Sequence, residues 1–432
     1  MRVTWPGWLL AAVLFAAVGC GVALGAPAET EHAVPVIYCT DLFHPHDDPD
    51  DHFDLATLYA MPELDIKGIV LDQGRKQLER PGRIPVSQMN RITGRNVPTV
   101  IGLATPLKSP DDKGLDQAPE FQKGAEFIVQ TLRASARPVC IATLGSVRDV
   151  VAAFNREPGL FRTNVAMVLA FIGEASDPKY QEYNVGLDPQ AFVGLMRSGL
   201  PVYWVPCFDG GLWQNRGHAS FWRASHRALL GQAAPEVIQY FIYALEKEGS
   251  EPLAFLSRPV EPERQARLFA DTRNLWCAAV LGVMSGREVV LEGGKWTSVT
   301  RSGNQLTLGL PARFGVGGRT AASPLTPSLS PSDGARGPFM TGEGIVAGAP
   351  SFHGAGSPIR AAAGAERKPL FGFSEVEVSV SDVGVVSCGK GPGSHTVRLF
   401  EVRDPTQYEP GMVEATAGLL SSLGRKGAAA SR

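Results

Sequence analysis

Apolar and polar positions alternate in two different rhythms along the first half of the chain. Short apolar runs at 34–39, 66–71, 99–102, 139–144, 165–171 and 202–205 are bounded by turn residues and read as buried strands. Between them, 120–133, 147–155 and 189–198 repeat their apolar residues at the helical spacing. Strand and helix in alternation predict an α/β fold, a mostly parallel sheet with flanking helices. Residues 219–283 follow as a helical region in which Trp222 and Trp276, with Trp213 just before it, read as packing residues. Short strands are expected at 288–291 and 305–308. From 311 to 368 Gly, Ala, Ser and Pro dominate, with too few large apolar side chains to offset ordering, so this stretch reads as a disordered insertion. Antiparallel strands at 376–380, 383–387 and 396–402 and a helix at 412–423 form a small C-terminal extension. The predicted organisation is 1–26 as an export signal, 27–310 as the main domain, 311–368 as the insertion, and 369–432 completing the domain.

Composition narrows the function. The 432 residues carry a formal net charge of -2, which gives no basic face for nucleic acid. Arg2, the apolar run 8–18 and the small residues Ala23-Leu-Gly-Ala26 have the order of an export signal. Ala17-Val-Gly-Cys20 resembles a lipobox, making Cys20 a candidate lipid anchor and the protein an exported one, periplasmic or extracellular. Cys39, Cys140 and Cys277 lie in apolar surroundings and read as packed thiols; no CxxC pair supports zinc or redox chemistry.

The candidate chemistry begins where the first strand ends. Residues 40–54, TDLFHPHDDPDDHFD, hold six aspartates before a helix-like segment. Such a loop is either fully solvated or neutralised by a cation, and oxygen-only donors favour Ca2+ or Mg2+. His44, His46 and His52 match no zinc spacing and read as polar loop residues that can touch substrate.

Four motifs in order resemble the nucleoside hydrolase family, inosine–uridine-preferring type. They are Cys39-Thr-Asp41 with Asp50-Asp51 and Pro62-Glu-Leu64; Leu144-Gly145-Ser-Val-Arg148-Asp149; Glu182-Tyr-Asn184 with Asp188-Pro189-Gln-Ala191; and Phe269-Ala270-Asp271. The resemblance spans roughly 34–283. It implies a nucleoside hydrolase-like fold, one Ca2+, a nucleoside or related riboside as substrate, hydrolysis of an N-glycosidic bond, and a homo-oligomer. By carry-over Asp41, Asp51 and Asp271 hold calcium with a carbonyl near Arg148, and Asp271 also faces substrate. Asp41 is the general base, and Asp50, Glu182 and Asn184 grip ribose hydroxyls. Read locally, Glu182 and Asn184 are caps, Asp188 is an N-cap before Pro189, and Asp271 caps a helix at 274–281. The chain departs from the family at Cys39 and Ala270, where relatives have Asp and often His, and it lacks two asparagines. Tyr180, Tyr183, Trp213 and His46 are candidate substitutes for the missing groups around the leaving base. These departures also raise the alternative of a non-catalytic sugar- or glycan-binding protein.

Overall fold

The structure, a computed structural model, describes residues 33–300 and 368–424. The segment 1–26 with Cys20, the strand expected at 305–308 and nearly all of 311–368 lie outside the described residues.

Six strands, β1 (Val34–Thr40), β2 (Leu64–Leu71), β3 (Thr99–Ile101), β4 (Val139–Leu144), β5 (Val165–Phe171) and β6 (Val202–Val205), run parallel to one another. Two antiparallel pairs stand apart from them: β7 (Trp222–Ser225) with β8 (Thr272–Leu275), and β9 (Arg287–Glu292) with β10 (Lys295–Thr300). β11 (Phe371–Val380), β12 (Val386–Cys388) and β13 (His395–Val402) return to the main sheet, β13 pairing parallel with β6. The nine-strand order is β12-β11-β13-β6-β5-β4-β1-β2-β3. The fold is thus α/β and mostly parallel, with antiparallel C-terminal strands.

β1 lies inside the sheet, between β4 and β2. Val36 and Tyr38 pack on one face, Ile37 and Cys39 on the other, all nearly without exposure. A strand covered on both faces must be apolar throughout, which is why its run is continuous. After β1 the chain builds outward through β2 and β3, then returns to build the other side from β4. The reversal opens a crevice at the strands' C-terminal ends, where open α/β sheets take their ligands.

Two expectations fail locally. The region 219–283 holds the β7–β8 pair among its helices. The helix expected at 274–281 is instead the strand Thr272–Leu275 followed by the 3-10 helix Ala278–Ser285. Pairing with Trp222–Ser225 holds this short polar segment extended, a tertiary contact overriding local preference. Strand β10 was not predicted, although the two-residue turn Gly293-Gly294 and the β-branched and aromatic residues after it are a hairpin signal. Among the described residues no helix is long and apolar enough to cross a membrane. The five described cysteines are free, and all but Cys388 are buried.

Candidate active site

Asp41 follows the last residue of β1, and helix Asp50–Tyr59 opens with Asp50 and Asp51 in its first turn. A helix N-terminus favours carboxylates there. Thr40 Oγ1 donates to Asp51 Oδ1 at 2.7 Å, fastening the far end of the loop to the strand it left. Gln73 Nε2 donates to Asp41 Oδ2 at 3.2 Å. Gly145, after β4, approaches from the other side: a Cβ there would lie 2.7 Å from Asp72 Oδ2 and 3.4 Å from Asp41 Oδ1. Only glycine allows that approach. The strands flanking β1 both lead into left-handed turns, Gln73 at φ 56° after β2 and Val147 at φ 55° after β4. For a β-branched residue this costs on the order of 1–3 kcal/mol, and such strain gathers at functional sites.

Charge in this crevice is poorly balanced. Burial, followed by Asp72, pushes the Asp41 carboxyl up to about 7. Burial also pushes Asp50 and Asp51 well above the usual carboxylate range; Asp48, Asp54 and Asp41 add to it for Asp50, as do Asp41 and Asp50 for Asp51. Among the described residues none of the three forms an ion pair. Asp54 lies deeper, at 1% exposure, and accepts from the Ala278 amide at 2.7 Å. Burial holds it at about 7 against that hydrogen bond and one from the Cys277 thiol.

Glu182 reaches the same crevice from beyond β5. It caps helix Tyr183–Leu187, its Oε1 accepting from Asn184 N at 2.9 Å and its Oε2 from Gly173 N and Val185 N at 2.9 and 3.2 Å. Burial raises its carboxyl, and its charge adds slightly to the rise at Asp41. Asn184 keeps a partly exposed side chain, and Tyr183 beside it is half exposed and faces Asp41, Asp47, Asp72 and Asp51. Asp188 is the N-cap of helix Pro189–Arg197, accepting from Ala191 N at 2.9 Å and Leu107 N at 2.8 Å.

Arg148 begins helix Arg148–Arg156, directly after Val147. Its guanidinium is occupied: Nε lies 3.5 Å from Asp188 and 3.8 Å from Asp72, and an Nη donates to Leu187 O at 2.9 Å. Only its carbonyl could serve a cation. Asp271 is not with the others. It is exposed at the end of helix Pro262–Ala270, receives the Thr272 amide at 2.8 Å, and lies 3.7 Å from Arg273. Trp276-Cys277, not Ala270-Asp271, directly precedes the apolar helix Ala278–Ser285. The thiol of Cys277 bonds Asp54 beneath the crevice.

The histidines also differ from expectation. His44, His46 and His52 are buried rather than held in a solvated loop. His44 stacks on Tyr243 at 4.6 Å and pairs with Glu248 O at 2.8 Å, while His52 packs beside Tyr240. Trp222 is a core residue, whereas Trp213 is 46% exposed in a ring cluster with Phe208, Phe221 and Trp276. Sequence reading missed Asp72 and Gln73. Asp72 accepts from Ser146 N at 2.7 Å and Ser146 Oγ at 2.8 Å, joining the turns on either side of Asp41. Their place immediately after an apolar strand was the available signal.

Asp41, Asp50 and Asp51 offer hard oxygen donors whose mutual repulsion a divalent cation would relieve. The donor chemistry therefore fits such an ion. Asp271 adds nothing to it, and among the described residues no three His, Cys, Asp or Glu side chains form a ready-made ion cage.

Residues 40–248 match the family model described as inosine-uridine preferring nucleoside hydrolase. The pyrimidine-specific ribonucleoside hydrolase RihA of Salmonella paratyphi B is 28% identical over 189 residues, covering 39% of this chain and 59% of that protein. RihA of Escherichia coli O7:K1 is 27% identical over 188 residues, with the same shares. The chain thus spans about three fifths of the length of the curated relatives it matches. Among solved structures, an inosine-uridine preferring nucleoside hydrolase from Bacillus anthracis aligns with TM-score 0.40 and 9% identity, over 90% of this chain and 99% of that one. Over residues 40–248, just under half of its length, the chain is therefore similar to the inosine-uridine preferring nucleoside hydrolases.

Proposed function

We propose that the protein hydrolyses the N-glycosidic bond of a nucleoside or related riboside with the help of a bound Ca2+. The observation that carries this is the grouping of Asp41, Asp50 and Asp51, carboxylates without ion-pair partners among the described residues, at the reversal point of a parallel sheet. The pyrimidine ribonucleoside specificity of the RihA relatives makes pyrimidine ribonucleosides the first substrates to try. Asp41 and Asp51, with the Arg148 carbonyl, would hold the ion. When bound, calcium orients a water molecule and lowers its pKa. Asp41 accepts the proton of the attacking water. Asp50 and the free Asn184 amide hold ribose hydroxyls, while Glu182 fixes the turn that presents Asn184. An oxocarbenium-like state gains from the anionic crevice around it. We also read residues 1–26 as an export signal, with Cys20 as the candidate lipid anchor.

The test is release of free ribose from a nucleoside panel, with calcium supplied and then chelated. Ribose from at least one member, lost on chelation, is the expected result. A second reading, a non-catalytic sugar-binding protein, is favoured by one observation: both Glu182 oxygens already accept backbone N–H groups. Ribose affinity without release from any nucleoside would establish that reading instead.

A further inference from the structure

A cleft of about 710 Å³ lies at the opposite end of the sheet, between β10, helix Tyr408–Ser422 and the turn after helix Arg83–Thr93. We propose that it binds a small carboxylate with an apolar body. Its volume is that of a ligand pocket, and Tyr59, Ile92, Trp296 and Leu419 give it apolar walls. Its charges are unevenly matched. Arg95 donates to Met61 O and Leu64 O at 3.0 and 3.3 Å but, among the described residues, pairs with no carboxylate; Lys295 has no partner among them. The other two charges are engaged: Arg287 by Glu63 at 2.7 Å, and the Glu414 carboxylate by the Trp296 amide at 2.6 Å. Of the charges lining the cleft three are cations and one, Glu414, is an acid, so a monoanion entering it meets a net positive wall.

Two further features point to an occupant. Ser298 lines the cleft at 8% exposure, and its Oγ has no hydrogen-bond partner among the described residues. A buried hydroxyl left in that state is costly unless something supplies the bond. Gly418 sits inside helix Tyr408–Ser422, where glycine weakens a helix, and a Cβ built on it meets no atom within 4 Å. The missing side chain keeps the cleft open.

Calorimetric titration of the full chain with decanoate, and with decanol as the uncharged counterpart, tests the proposal independently of any hydrolase activity. Saturable one-to-one binding of decanoate, at least tenfold tighter than of decanol, is expected. Gly418→Leu should weaken decanoate binding at least tenfold with the melting temperature unchanged or raised, and Lys295→Glu should weaken it about tenfold. Absence of saturable decanoate binding, equal affinity for decanol, or undiminished binding by both variants would overturn it.

Discussion

Asp51 and Asp271 are both expected from the sequence at one ion, yet they occupy opposite kinds of place. Asp51 opens a packed helix beside the end of β1, fastened to Thr40 and crowded by Asp41 and Asp50. Asp271 ends an exposed helix and answers to Arg273. The difference lies in what surrounds each residue. A parallel sheet brings the ends of consecutive strands to one edge, so a carboxylate one residue beyond such a strand arrives at the crevice by topology. Asp271 comes instead just before β8 of the antiparallel β7–β8 pair, whose Arg273 reaches Asp48 of the loop at 3.3 Å while Asp271 itself stays exposed.

Breaking the crowded side should have the largest consequence. Asp51→Ala should remove calcium binding in a calorimetric titration and lower ribose release by about 10³-fold, within the span of losing a key acid–base or charge partner. An unaltered calcium isotherm would show that the ion, if bound, lies elsewhere. Next comes pH. Asp54 has a folded pKa raised to about 7, above its unfolded value near 4. Its contribution to stability is therefore fully present below about pH 4 and is lost as pH rises through about 7. Asp54→Asn, which keeps an acceptor for the Ala278 amide, should flatten that part of the stability curve and be more stable than the parent at pH 8. Urea unfolding at pH 5 and pH 8 decides it; an unchanged slope counts against a buried, titrating Asp54. A smaller effect is expected where backbone strain sits. Val147→Gly should lose about 1–2 kcal/mol in the same assay, since removing a buried valine side chain outweighs relief of the left-handed turn. A gain would mean that the strain outweighs the packing. Least of all, Asp271→Ala should leave ribose release within about twofold and stability within about 0.5 kcal/mol. A loss comparable to that of Asp51→Ala would return Asp271 to the site and erase the contrast.

How legible each part was in the sequence follows from the range of its interactions. Strands β4, β5 and β6 could be read to the residue, because strands buried on both faces need unbroken apolar runs and turn residues close them. The Asp41–Asp51 loop was legible for a related reason: it hangs directly from such a strand. Thr272–Leu275 was not, since its four residues lack an apolar pattern and become a strand only through Trp222–Ser225, far away in sequence. The misplacement of Asp271 follows from that one unread pairing. The stretch Leu71-Asp72-Gln73 reads in sequence only as lacking a family asparagine, because Asp72 acts through the turn after β4, some seventy residues on, and Gln73 through Asp41. The histidines read as loop residues because their neighbours are aspartates; the tyrosines that bury them come from a helix nearly two hundred residues later.

The main sheet is closed by residues that arrive late. β6 has β5 on one side and, on the other, β13, which is separated from it by almost two hundred positions of chain. A fragment ending at residue 300 would retain every aspartate of the crevice yet bare the flank of β6, with the amide and carbonyl groups of Tyr203 and Trp204 unanswered. Such a raw margin recruits whatever strand is nearest, commonly another copy. Truncations made to isolate the family-like portion should therefore precipitate or associate, for a reason that has nothing to do with the crevice.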